Sequence, residues 1–218
     1  MKIDVLYEDN HVIAVHKPAG LLTQGDKSKD PCLMDEVKEY LKKKYKKPGN
    51  VFLGLVHRLD RPVSGIVLFA KTSKGASRLS EQFRDHTIEK TYHALVIGKP
   101  DARTLVNYLT KDEARKKVDV HAEKGQKAEL EYDVVASYGP YTLVKILLKT
   151  GRFHQIRAQF SFAGFPVLGD IKYGAPFALS DKSIALCATS LAFTLPTKDE
   201  RKTISIPIPN GWSAYTKT

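Results

Sequence analysis

Cysteine is nearly missing: Cys32 and Cys187 are the two in 218 residues. That is too few for a disulfide framework, and the pair lacks the spacing of a zinc site, so a reducing cytoplasm is the default expectation and no metal is implied. No run of about 18 apolar residues occurs, which excludes an evident membrane-spanning helix. The opening Met1-Lys2-Ile3-Asp4-Val5 has no signal-peptide-like apolar stretch. Internal repeats and low-complexity tracts are absent, as is any Pro/Gly/Ser-rich linker long enough to separate independent domains. Acidic residues are in short supply, 24 Asp and Glu against 35 Lys and Arg, leaving a net charge of +11. A chain so charged is drawn to polyanions, and without a membrane segment nucleic acid is the better match.

What is present reads as one continuous fold with a substantial core, since 42% of the residues are hydrophobic. Val5–Tyr7 and Val12–Val15 have the pattern of two short strands around a turn at Glu8-Asp9-Asn10, followed by a Lys17-Pro18-Ala19-Gly20 loop. Leu33, Val37, Tyr40 and Leu41 recur at helical spacing, and the basic run Lys42 to Lys47 reads equally well as a solvated helix end or an RNA contact. Strands are predicted at Phe52–Val56 and Gly65–Ala70, which places His57-Arg58-Leu59-Asp60-Arg61-Pro62-Val63-Ser64-Gly65 on the connection between them. Thr72 or Ser73 caps a helix to about Arg84. Thr91–Ile97 alternates as a strand with Tyr92, Ala94 and Val96 on one face. Further strands are expected near 127–137 and 141–149, with an excursion near Lys111–Lys117. A helix follows at about 153–163, its apolar stripe made by Phe153, Ile156, Phe160 and Ala163. Three short strands, near Ile184–Cys187, Leu191–Thr194 and Thr203–Ile206, complete the pattern.

Taken alone, Asp60 is an ordinary loop carboxylate of the kind that forms turns with its own backbone. Arg157 borders the apolar stripe of its helix, where a lone cation is expensive, so an acidic partner such as Asp60 is expected. Three segments change the weight of Asp60 when read together: the His57–Gly65 run, Lys90-Thr91-Tyr92-His93-Ala94-Leu95-Val96, and Thr150-Gly151-Arg152-Phe153-His154-Gln155-Ile156-Arg157. They resemble the motifs of the RluA family of pseudouridine synthases. Tyr7 to Leu21 and Gly164-Phe165-Pro166-Val167-Leu168-Gly169-Asp170 resemble two further family segments in the right order, so the likeness covers essentially the whole chain.

The resemblance implies an α+β fold, a mixed and mostly antiparallel β-sheet flanked by helices with a central active-site cleft, as a single catalytic domain over 1–218. The first motif begins by Tyr7, so no separate S4 RNA-binding module is expected. It also implies the reaction: a uridine in ribosomal or transfer RNA is detached at N1, rotated and rejoined through C5, without cofactor or metal. By similarity Asp60 is the carboxylate acting on the ribose, Arg157 its ion-pair partner, and Tyr92 the candidate relay for the C5 proton. Arg58 is the candidate for the space left by the flipped base. Lys17, Lys90 and Arg152 either contact phosphates or buttress the site, while His57 and His154 are expected to be scaffold. The expected partner is an RNA stem-loop, acted on by a monomer. Val63, Gln159 and Cys187 depart from the residues common at their positions. Two rivals remain: a catalytically silent RNA-binding protein on the same scaffold, and a retaining glycosidase, which needs a second catalytic carboxylate that no motif supplies.

Overall fold

The computed structural model describes residues 3–101 and 103–216. They form two compact units, one running up to Ile88 and including Ser190–Ile206, the other made of Glu89–Thr189 and the segment from Pro207.

In the first unit β1 (Asp4–Glu8) and β2 (Val12–Lys17) form an antiparallel hairpin, tied at its turn by Asp9, whose carboxylate accepts from the amides of His11 and Val12. Helix α1 (Leu33–Lys44) buries Leu33, Val37 and Leu41, one position per turn, and ends on Lys42, Lys43 and Lys44, which complement its dipole. The predicted strand at 52–56 is shorter in the structure, β3 (Gly54–Leu55), and pairs with β4 (Ser64–Ala70). β4 also pairs with β2 from Val12↔Ala70 to Lys17↔Gly65. Helix α2 (Ser73–Arg84) is capped by Thr72, whose hydroxyl accepts from the Gly75 amide. The core of this unit gathers Val12, Ala14, Ile66, Leu68, Leu79 and Phe193.

The second unit carries β5 (Glu89–Ile97), β6 (Thr104–Asp112), β7 (Lys117–His121), β8 (Gln126–Tyr138) and β9 (Tyr141–Leu148), in the order β5-β9-β8-β6-β7 with antiparallel pairings. The expected excursion at 111–117 is instead the tip of a β6–β7 hairpin, stapled by Arg115 to Asp112 and Asp119. Helix α3 (Gln155–Phe162) is shorter than predicted and not striped: Gln155 to Phe160 are all buried. Its polar side chains must therefore be satisfied internally. Gln159 does this in part: its Nε2 donates to Leu105 O, Asn107 Oδ1 and Ala128 O, which ties α3 to β6 and β8, while its buried Oε1 has no hydrogen-bond partner among the described residues.

Two of the predicted C-terminal strands are one, β10 (Leu186–Thr194), whose Leu186–Thr189 belong to the second unit and Ser190–Thr194 to the first. β11 (Arg201–Ser205) pairs with the latter half. The class is α+β, built on antiparallel strands. Among the described residues no helix is long and apolar enough to cross a membrane.

Candidate active site

In the first unit, the run from His57 to Val63 is an irregular connection pinned at several points. His57 Nε2 accepts from the Leu68 amide at 2.8 Å, and its ring stacks on Phe83. A ring nitrogen in that role is a scaffold acceptor. Leu59 is clasped by Thr23, whose hydroxyl donates to Leu59 O at 2.8 Å and accepts from its amide at 3.2 Å. Asp60 opens a tight turn closed by Val63 N donating to Asp60 O at 3.1 Å. Asp60 itself is half-buried and Arg58 is exposed. Val63 is a core residue, so its departure from the residue common at this position takes no polar group out of water.

Lys17 organises this turn from beneath. It is the last residue of β2, not a loop residue as predicted, and it is fully buried. Its ammonium donates to Pro18 O at 3.1 Å, Leu21 O at 2.7 Å and Arg61 O at 3.2 Å. With all three donors engaged and no surface exposed, Lys17 is placed here as a buttress of the loop. Burial pushes its ammonium down to about 8, and the negative charge of Asp60 works against that, holding the proton on. Arg61 completes the clamp, its carbonyl accepting from Gly20 N, its Nε donating to Gly20 O, and its Nη1 paired with Asp30.

In the second unit, Tyr92 lies on β5 opposite Ile146 of β9 and is half-buried. Two positions before it, Lys90 is 8% exposed and its ammonium has a 3.5 Å contact with Thr150 O. Burial, helped by the charge of Arg152, lowers Lys90 to about 8. Arg152 donates its Nε to Lys127 O and its amide to Gln155 Oε1. Gln155 also accepts from Thr150 and donates to Glu129 O, so the Thr150–Gln155 stretch is locked to β8 before α3 begins. His154 takes a left-handed backbone conformation, φ 52°, and its Nδ1 meets the Tyr173 hydroxyl at 2.9 Å, a scaffold contact as expected.

Arg157 is 4% exposed. Its Nε donates to Asp170 Oδ2 at 2.6 Å and its Nη2 to Asp170 Oδ1 at 2.9 Å. Asp170, 1% exposed, was not singled out from the sequence as a partner for this arginine. Its position in the Gly164–Asp170 family-like segment was the available signal, but 13 residues of separation gave no reason to pair it with the helix. Among the described residues no group of three His, Cys, Asp or Glu side chains is placed to hold a metal ion.

A pinned loop carrying an aspartate, a strand tyrosine and a buried helix arginine, each in its own motif, can be compared with known proteins. Residues 11–162 match the family model described as RNA pseudouridylate synthase. The chain belongs to that family. It is 34% identical over 178 residues to the ribosomal large subunit pseudouridine synthase D of Borreliella burgdorferi, covering 79% of this chain and 55% of that protein. To the tRNA pseudouridine synthase C of Haemophilus ducreyi it is 32% identical over 236 residues, covering 97% and 93%. With the ribosomal large subunit pseudouridine synthase C of Vibrio cholerae it shares 32% over 214 residues, 94% of this chain and 65% of that one. Of solved structures, human RNA pseudouridylate synthase domain containing 4 superposes with a TM-score of 0.77 at 24% identity over 96% of this chain and 90% of that one, a likeness of fold. This pseudouridylate synthase family member thus has the family's α+β fold.

Proposed function

We propose that this protein isomerises uridine to pseudouridine in RNA, with Asp60 as the catalytic carboxylate, both units serving one catalytic domain. The observation that carries the reading is the Asp60 turn itself. It holds the family motif on a connection clamped by Thr23, Lys17 and Arg61, so that a half-buried carboxylate is presented on a rigid support.

Asp60 acts on the ribose either by attacking C1′ or by taking the C2′ proton. In both routes the N1–C1′ bond breaks, the uracil rotates, and a C5–C1′ bond forms. N1 gains a proton and the C5 proton is lost to solvent, relayed by Tyr92. Arg157 pairs with Asp60 and keeps it ionised in a poorly solvated pocket. The target base must leave its stack to be reached, and Arg58, exposed beside the aspartate, fills the space left behind. Lys90 and Arg152, two neighbouring cations on the second unit, take a backbone phosphate. The names of the relatives point to ribosomal or transfer RNA as substrate. We take that RNA as a stem-loop, acted on by a monomer in the cytoplasm.

Release of tritium from RNA labelled at uridine C5 tests the reading. Wild-type protein is expected to release it from total cellular RNA, and Asp60→Ala to release none. No release by the wild type from any cellular RNA would refute the activity. Mapping the pseudouridines that vanish from a deletion strain identifies the site.

A further inference from the structure

The fork between Arg157 and Asp170 uses the side edge of the guanidinium, Nε and Nη2. The end-on edge, Nη1 and the second hydrogen of Nη2, is not used by Asp170. A second contact fixes the tilt of the same group: its central carbon lies 5.0 Å from the centroid of the Tyr173 ring. That ring is itself held, its hydroxyl accepting from the Val118 amide at 2.9 Å and meeting His154 Nδ1 at 2.9 Å.

Asp170 and Tyr173 come from one short turn. Tyr173 N donates to Asp170 O at 2.9 Å, which fixes the spacing of carboxylate and ring. Gly169 precedes the turn at φ +85°, where an added Cβ would lie 2.7 Å from Leu179 Cγ and 3.0 Å from Ser183 O. Only glycine lets the backbone bring Asp170 in at this point. A buried ion pair adds little net stability over a well-packed apolar pair, so its distinctive yield is orientation.

We infer that Asp170 and Tyr173 are positioning residues for the reaction, setting the plane and tilt of Arg157. The inference rests on the role proposed for Arg157 above. A guanidinium held at one point swings about its side-chain torsions; held by two hydrogen bonds and a ring face, it does not. Misplacement of a catalytic group by about 1 Å costs on the order of 100-fold in rate.

The test is steady-state kinetics on the full chain with a substrate RNA, rates taken per folded molecule from a thermal melt of each preparation. Asp170→Asn keeps the shape and removes the charge; it is expected to lower kcat by about 100-fold while KM stays within threefold. Tyr173→Phe keeps the ring and is expected to retain most of kcat, whereas Tyr173→Leu loses at least about tenfold relative to it. A role confined to stability would disappear once rates are expressed per folded molecule. Asp170→Asn with wild-type kcat, or with a raised KM and unchanged kcat, overturns the inference. If Asp170→Asn does not fold, the Tyr173 pair decides: equal kcat for the Phe and Leu variants overturns it. An inactive wild type, or a fully active Arg157→Ala, overturns the inference together with the reading beneath it. Full activity of Asp170→Asn beside an inactive Arg157→Ala overturns the inference alone.

Discussion

Replacing Glu8 by glutamine should remove the electrostatic anchor of α1 and leave a difference in stability that depends on pH. Glu8 closes β1 with a side chain 7% exposed. It accepts from Lys71 at 2.6 Å, Lys44 at 2.7 Å and the Tyr45 hydroxyl at 2.6 Å. Burial alone would raise its carboxyl; the hydrogen bonds from Lys44, Lys71 and Tyr45, with the charge of Lys71, outweigh it and bring the group from 4.5 down to about 2. At about 1.4 kcal/mol per pH unit, the gap is worth about 3 kcal/mol, and the exposure of Lys44 to solvent screening reduces this to about 2 kcal/mol. The folded pKa is depressed, so the contribution is full above the unfolded value near 4.5 and is lost as pH falls towards about 2. Urea melts of wild type and Glu8→Gln at pH 7 and at pH 2.5 measure the difference of differences, in which the other carboxylates cancel. The expected gap is about 2 kcal/mol at neutral pH, shrinking strongly at pH 2.5. A gap that is the same at both pH values, or under about 0.5 kcal/mol at pH 7, would refute the assignment of the anchor to the charge of Glu8.

Lys17→Met strips three backbone carbonyls of their common donor and should cost about 2–4 kcal/mol, seen as a melting temperature lower by roughly 5–15 °C; a change under about 2 °C would show that the ammonium is not the clamp. Lys90→Met should lower the slope of log RNA affinity against log salt by about 0.7–0.9, one phosphate contact. Because burial and Arg152 bring Lys90 to about 8, wild-type affinity should fall as pH rises through that value while the variant stays flat across it; identical slopes and pH profiles would remove Lys90 from the interface.

Periodicity located the regular elements where one apolar face was enough to define them. α1 covers the four apolar positions that predicted it and α2 lies within a residue of its predicted bounds, because each carries a striped face and a recognisable end. β6 and β7 went unseen because their hairpin tip, Lys111 to Lys117, is polar and charged, and its strand geometry comes from cross-strand pairing and the Arg115 staple rather than from local pattern. β10 was read as two strands because its polar Thr189 and Ser190 break the apolar run. The buried polar side of α3 was only partly legible: Arg157 beside the apolar stripe called for an acidic partner, whereas nothing local marked Gln155 and Gln159 as buried, because their partners lie on distant strands.

The sequence by itself determined the family, the order of the motifs, and the residue types on which the chemistry is proposed to depend, because these are local strings of side chains. Tertiary structure alone decided what those side chains touch. It placed Lys17, read from the sequence as either a phosphate contact or a buttress, against the backbone carbonyls under the Asp60 turn, and it gave Arg157 the carboxylate of Asp170. The physical reason is the same in both cases: a cation removed from water must find oxygen acceptors in the fold, and which acceptors lie within about 3 Å is set by how distant segments pack, not by their spacing along the chain.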